Sequence, residues 1–427
     1  MPYTANRYFK ENPIMVTSAE GCYLNTSDGK AIFDGLSGLW TTGMGHCRQE
    51  IVTAVSKGIG QLDYSPAFQV GNPLAFEVAN KVKAMTPDGL DYVFFTDSGS
   101  ESVDTALKMA RGYWRQKGQP TKTRLIGRSR GYHGVNYGGI SVGGIGANRK
   151  LFGQGIEADH LPHTCLAENR FSKGMPEKGV ELADELEELV ALHDASNIAA
   201  VIVEPFSGSA GVIIPPKGYL NRLRELCNKH NILLIFDEVI TGFGRTGHAF
   251  GADAFGVTPD MMTLAKGLTN GTVPMGAVVC TAEIYQTFMD KGGPEYMPEF
   301  PHGYTYSGHP VACAAALAAL DIFEKDNMAA KAAALSPYFE QQLHQLKGIK
   351  HVQDIRNFGL AGALEIESFG GNEPAKRPFE IFRRCWEAGV YVRCGGNTIQ
   401  LAPPFISEKS QIDTLFNVLS DAISATE

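Results

Sequence analysis

Asn231–Gly247 reads NILLIFDEVITGFGRTG, and Asp260–Gly267 reads DMMTLAKG. Leu233–Phe236 is a short apolar run that stops at Asp237. Met261–Leu264 is a second such run, with Lys266 just past its end. Both have the pattern of a strand buried on two faces: apolar throughout, short, and closed by polar or Gly residues. Such strands lie parallel, and open α/β sheets bind ligands in the crevice at their carboxyl ends. If the two strands are neighbours in one sheet, the Asp237 carboxylate and the Lys266 amine meet at that rim.

Working outward, the same texture repeats. Tyr92–Phe95 is a strand, TDSGS a turn, and Glu101–Trp114 a helix with Val103, Leu107 and Ala110 on one face. A Gly/Ser turn running from a strand into a helix N-terminus presents free N–H groups and a partial positive charge, which suits an anion. Arg124–Ile126 is the next strand, followed by RGYHG. Ile198–Val203 is another, ending at Glu204-Pro205, and Lys217–His230 is the helix that returns the chain to Asn231. This βαβα alternation predicts an α/β fold with a mainly parallel sheet. GCYLNTSDGKAIFDG near the N-terminus reads as a hairpin around Ser27-Asp28-Gly29, and Arg48–Ile59 as a helix. Glu177–His193 reads as an acidic amphipathic helix, and GGISVGGIG at Gly138–Gly146 as a flexible loop. Beyond Pro310 the texture changes to long helices, Val311–Lys325 and Ala329–Leu346. Short strands at Ala361–Ile366 and Thr398–Leu401 follow, then a helix over Glu408–Ser424. That pattern predicts a smaller α+β domain beside the sheet domain.

Composition narrows the function classes. The 427 residues are 44% hydrophobic, enough for a large core in two or three structural units. A formal charge of −8 argues against a general nucleic-acid binder. The eight cysteines show no CxxC or Cys/His metal spacing and read as reduced thiols of a cytoplasmic protein. MPYTANRYFKENP lacks the apolar stretch of a signal peptide, and no apolar run is long enough to span a bilayer. Gly242–Gly247 matches GxGxxG, but a dinucleotide fingerprint follows a strand directly and opens a helix. Here DEVIT intervenes, so a nicotinamide enzyme is not expected.

An Asp and a Lys at strand ends can be no more than an ion pair, or a helix cap and a solvated amine. They also match the needs of pyridoxal phosphate (PLP), which requires a lysine to hold it covalently and a carboxylate to keep its ring nitrogen protonated. The choice is decided by seven ordered motifs: DGLSGLW, FFTDSGSES, RGYHG, VEPFSGSAGV, FDEVITGFGRTG with LAKG, HGYTYSGHP and VRCGGNTIQLAPP. Together they resemble the class III, or omega, aminotransferases of PLP fold type I over about Asp34 to Pro404. Within that family the resemblance is greatest to the omega-amino acid (beta-alanine):pyruvate group.

The resemblance implies a role for each matched residue. Lys266 binds the cofactor and then moves a proton between substrate and cofactor carbons. Asp237 pairs with the ring nitrogen, while Val239 and Tyr132 cover the two ring faces. Gly99 and Ser100 hold the phosphate, joined by Thr305 from a partner subunit, so a homodimer shares its active sites. Whether dimers pair into tetramers stays open. Trp40 and Phe68 line the substrate pocket, and Arg393 binds a substrate carboxylate through its two-pronged guanidinium. No metal is implied. Glu204 is open to a structural or a catalytic role. In ornithine- and GABA-specific relatives an acid in the loop after Glu-Pro pairs with the arginine. Here FSGSAG puts Ser209 in its place, which favours pyruvate over 2-oxoglutarate. The implied reaction moves an amino group from an omega-amino acid or primary amine to pyruvate. A diamine as main donor and a PLP aminomutase are the alternatives. The implied domains are an N-terminal segment (1–50) belonging to the small domain, a PLP-binding α/β domain (51–310) and a C-terminal α+β domain (311–427).

Overall fold

The computed structural model describes residues 1–369, 373 and 375–426. The chain begins with a three-stranded antiparallel meander, β1 Val16–Glu20, β2 Tyr23–Thr26 and β3 Ala31–Asp34. The hairpin around Asp28-Gly29 is the one its turn residues demand. Gly29 lies at φ +82°, where a side chain is disfavoured.

The large sheet follows, with strands β4 Leu90–Thr96, β5 Arg124–Arg128, β6 Ala158–Leu161, β7 Ile198–Val203, β8 Leu233–Asp237, β9 Met261–Leu264 and β10 Gly276–Thr281. Their order is β4-β10-β9-β8-β7-β5-β6. β5 to β9 pair in parallel, and β10 is antiparallel to both its neighbours, β4 and β9. All six side chains of β7 and all four of β9 are buried, as continuous apolar runs require of central strands covered on both faces. The helix Gly99–Gln116 covers one face through Val103, Ala106, Leu107 and Ala110, and Trp114 Nε1 donates to the Ala199 carbonyl at 2.8 Å. The helix Tyr219–Lys229 buries Leu220, Leu223 and Leu226. The Ala-rich helix Pro310–Lys325 starts with proline at its first position, where no N–H is needed, and is buried along most of its length.

The remaining strands are β11 Val352–Phe358, β12 Ala361–Ile366, β13 Val390–Tyr391, β14 Arg393–Gly395 and β15 Thr398–Leu401. Four of them form a sheet in the order β11-β12-β15-β14, while β13 pairs in parallel with β3. The N-terminal meander is thus completed by a strand from the far end of the chain.

Two expectations fail locally. GGISVGGIG is not a loop: Tyr137–Val142 is a helix and a second begins at Gly146. Its glycines serve close approach rather than flexibility, since a Cβ on Gly139 would lie 2.1 Å from the His133 carbonyl oxygen. The acidic helix starts only at Glu185, after a 3-10 turn at Val180–Ala183 entered through Gly179 at φ +107°.

Candidate active site

β8 and β9 are parallel neighbours, with Asp237 opposite Thr263, so Asp237 and the residues after Leu264 emerge on the same rim. Asp237 is 4% exposed and accepts three hydrogen bonds. His133 Nδ1 donates at 2.8 Å, Thr263 Oγ1 at 3.1 Å and the Val239 N–H at 3.2 Å. These donors hold a carboxylate that burial would otherwise penalise. The adjacent Glu238 is also buried but is used up inside the fold. It accepts from the Gly251 and Ala252 N–H groups at 2.8 and 2.6 Å, where a short helix starts.

Lys266 stands at φ +46°, an unusual backbone for a residue with a side chain. Burial pushes its amine down to about 8. Arg393 acts in the same direction, while Asp237 and Glu204 oppose it. A lysine tuned in this way carries an appreciable neutral fraction near physiological pH, as a nucleophile or proton carrier needs. Asn270, four residues on, ties this turn to the N-terminal segment: its Oδ1 accepts the Met44 N–H at 3.0 Å and its Nδ2 donates to the Gly45 carbonyl at 2.8 Å.

The Gly/Ser turn arrives beside both groups. A Cβ on Gly99 would lie 3.0 Å from Val239 and 3.6 Å from Ala265, so the turn packs against the residues flanking Asp237 and Lys266. Ser98 caps the helix by accepting from the Glu101 N–H at 3.3 Å. The Gly99 and Ser100 N–H groups find no acceptor among the described residues. Ser100 Oγ accepts from the Val135 N–H at 3.1 Å, which fixes the loop carrying Tyr132 and His133. Unused N–H donors at a helix N-terminus, a lysine and a held carboxylate within one crevice are the donor set that PLP requires. The described residues fit that cofactor.

The residues expected on the substrate side come from other segments. Tyr132 is half-buried, and burial pushes its hydroxyl up to about 12, with Arg393 opposing. Arg393 thus lies within electrostatic reach of both Tyr132 and Lys266. Its guanidinium makes no hydrogen bond or ion pair among the described residues. Trp40 is 4% exposed and packs with Phe206, Val212 and Ile240. Its Nε1 has no partner among the described residues. The Ser209 loop lies against the Arg393 hairpin. Gln400, paired with Arg393 across β14 and β15, donates from Nε2 to the Ser209 carbonyl at 2.8 Å.

Phe68 and Thr305 stand apart. Phe68 is 58% exposed and packs against Gly303, and Tyr64 Oη donates to the Thr305 carbonyl at 3.1 Å. Among the described residues no hydrogen bond or ion pair within this chain joins them to Lys266. Sequence reasoning missed His133 and Thr263. RGYHG contained the first, and alternation along β9 placed the second on the Asp237 side. It also missed Arg245, the buried arginine of GRTG. Arg245 donates to the carbonyls of Leu360 and Pro403 at 3.0 and 2.8 Å and to Ser37 Oγ at 3.1 Å, locking three distant segments around the Trp40 wall.

A family model described as Aminotransferase class-III matches residues 4–423. The chain is a class-III aminotransferase. This class-III aminotransferase is 59% identical over 426 residues to an omega-amino acid–pyruvate aminotransferase of Pseudomonas putida, covering 99% of its own length and 95% of the relative's. It is 58% identical over 425 residues to a beta-alanine–pyruvate aminotransferase of Pseudomonas aeruginosa, with the same two coverages of 99% and 95%. Among solved structures it matches an amine transaminase from an uncultivated Pseudomonas species, described as PLP-bound. That match has a TM-score of 0.92 and 36% identity, and covers 99% of this chain and 98% of the other. The aminotransferase has the mixed α/β architecture of PLP fold type I, and its cofactor is PLP.

Proposed function

We propose that this aminotransferase moves the amino group of an omega-amino acid, beta-alanine foremost, or of a primary amine to pyruvate, in two half-reactions at one site. Arg393 carries the reading, because its guanidinium makes no hydrogen bond or ion pair among the described residues, it lies within electrostatic reach of Lys266, and the loop against its hairpin carries Ser209 rather than an acid. A free guanidinium there is ready for the carboxylate of beta-alanine or pyruvate. The names of the 58–59% identical relatives support the same donor and acceptor.

When bound, PLP supplies the electron sink for the carbanion left when a proton leaves the carbon bearing the amine. Asp237, oriented by His133 and Thr263, is proposed to hold the ring nitrogen protonated. The Lys266 amine would take and hold the proton released from the substrate carbon. Tyr132 and Val239 cover the ring faces, and the Gly99 and Ser100 N–H groups hold the phosphate. Arg393 and Trp40 receive the carboxylate or apolar end of the substrate.

Phe68 and Thr305 are proposed to serve the site of a second copy. Their own surface supports this: Tyr64, Phe68, Val70, Phe76 and Tyr306 are exposed apolar side chains on neighbouring segments, which a homodimer would cover. The pairing of β13 with β3 supports the proposed division in which residues 1–50 belong with the 311–427 domain, beside the 51–310 domain. No helix among the described residues is long and apolar enough to cross a membrane, and a cytoplasmic location is proposed.

The test is the visible absorbance of the PLP-loaded protein. Beta-alanine alone should bleach it and pyruvate should restore it. A band indifferent to beta-alanine but bleached by an amine or diamine would overturn the donor assignment.

A further inference from the structure

Glu204 is a buried carboxyl group, next to the site, that the mechanism leaves unused. Glu204 follows the last residue of β7 and is 4% exposed. Its Oε1 accepts the Tyr132 N–H at 2.9 Å and its Oε2 accepts the Gly208 N–H at 2.9 Å. One side chain thus joins two loops that leave different strands, the 129–134 loop after β5 and the 204–213 loop after β7. A second tie runs parallel to it: Arg128 Nη2, at the end of β5, donates to the Glu204 carbonyl at 2.8 Å and to Ser207 Oγ at 3.1 Å. The far end of the 204–213 loop is fixed independently. Gln400 holds the Ser209 carbonyl and Arg356 Nε holds the Gly211 carbonyl at 2.9 Å. The loop therefore spans from Tyr132 to the β14–β15 hairpin that carries Arg393.

We propose that Glu204 is a positioning residue: its carboxylate staples the Tyr132 loop to the Ser209 loop and so sets the spacing between the aromatic cover of the cofactor ring and the carboxylate-binding side of the pocket. The inference rests on the site assignment given above. Two N–H donors converging on two oxygens need both oxygens as acceptors, which an ionised carboxylate supplies and an amide does not. Gln in the same place would turn an NH2 group toward one of the N–H donors. A buried donor left facing a donor has lost its partner and must move or go unpaired.

The charged and titratable groups around Glu204 are His133, Asp237, Lys266 and Arg128. Burial pushes the Glu204 carboxyl up to about 7; Asp237 adds to this, while His133 and the two N–H groups oppose it. A proton therefore joins one oxygen as pH falls through about 7, and the staple weakens on the acid side. The positioning role predicts a pH response that an inert buried contact would lack.

The experiment compares wild type, Glu204→Gln and Glu204→Asp as PLP-loaded protein. Three quantities are read: hydrogen exchange at residues 131–134 and 207–209, visible circular dichroism of the bound cofactor, and the single-turnover rate of bleaching by beta-alanine from pH 6 to 9. For E204Q the expected result is faster exchange confined to both segments, an altered dichroic band, and a rate about tenfold lower that no longer rises through pH 7. E204D keeps a charge but is shorter. It should keep the rise through pH 7 at a reduced rate, and it carries the test if E204Q does not fold. Wild-type exchange, dichroism and pH response in both variants would overturn the proposal. So would slower turnover with no change of exchange at either loop. Failure of the wild type to bleach with beta-alanine would instead count against the donor assignment, because the exchange and dichroism readings do not depend on the donor.

Discussion

Replacing Lys266 should abolish turnover, yet it should stabilise the cofactor-free protein. The amine's value falls from 10.5 in an unconstrained lysine to about 8 in the fold, with burial as the leading cause. One pKa unit is worth about 1.4 kcal/mol, so the buried ammonium costs at most about 4 kcal/mol below pH 8. Lys266 keeps some exposed surface, and water there halves the expected figure to about 2 kcal/mol. The sign follows from proton counting. Between about pH 8 and 10.5 the unfolded chain binds more protons at this site than the folded one. Stability therefore rises with pH across that window, and the penalty is fully present below it. Lys266→Met removes the penalty while filling the same space. For 427 residues the unfolding entropy is of order 0.9 kcal/mol per kelvin, so the gain at pH 7 is about 2 °C in Tm. Thermal scans of cofactor-free wild type and K266M at pH 7 and at pH 10 check this. The variant should melt higher at pH 7, and the gap should close at pH 10. A variant that melts lower at pH 7, or a gap independent of pH, would refute the account of Lys266 as a desolvated cation. In the PLP-loaded protein the order should reverse, because the wild type alone keeps its covalent hold.

Arg393→Ala should raise KM for beta-alanine and for pyruvate by roughly 10- to 100-fold, the worth of one charged hydrogen-bonded contact. A neutral primary amine should change by less than about threefold, and equal losses for all three would count against carboxylate binding. His133→Phe keeps volume but leaves Asp237 with two donors instead of three. PLP binding, followed by fluorescence quenching, should weaken about tenfold, and an unchanged Kd would remove His133 from the site's support. Ser209→Glu places an acid on the loop that lies against the Arg393 hairpin. It should raise KM for beta-alanine about tenfold at low salt and less at high salt, because screening weakens the new pair; salt-independent kinetics would show that the acid does not reach the guanidinium.

Several strands buried on two faces were legible in the sequence. Ile198–Val203, Met261–Leu264, Ala361–Ile366 and Thr398–Leu401 run in the fold as their apolar patterns predict. In such segments composition and tertiary environment agree. The parallel direction of β5 to β9 was legible, but the reversal at one strand was not. Gly276–Thr281 is as apolar as its neighbours, yet it runs antiparallel between β4 and β9, and nothing in GAVVCT encodes a direction. The Gly138–Gly146 segment misled because local glycine content signals freedom, whereas at Gly139, Gly143 and Gly144 the missing Cβ makes room for a neighbouring backbone. His133 shows the limit for the site. Its partner Asp237 lies 104 positions away, and a hydrogen bond between two chain-distant residues leaves no spacing to read.

The unpaired Arg393 also bears on how broad the pocket can be. A guanidinium held by an acid of its own chain must break that pair to take a substrate carboxylate, and it re-forms the pair when a neutral substrate enters. The pair then pays for both choices. Among the described residues Arg393 has no such acid, and because it is only half-buried, water can solvate it when no carboxylate is present. A neutral amine therefore forfeits the carboxylate contact but strands no buried charge, and its penalty is the small net worth of that contact rather than the larger desolvation of an orphaned cation. The rigid side of the proposed pocket is the Trp40 wall, where Trp40 is packed against Phe206, Val212 and Ile240 and backed by Arg245. Discrimination by charge should accordingly be mild and discrimination by bulk strong, since a packed aromatic wall yields less readily than a hydrated arginine.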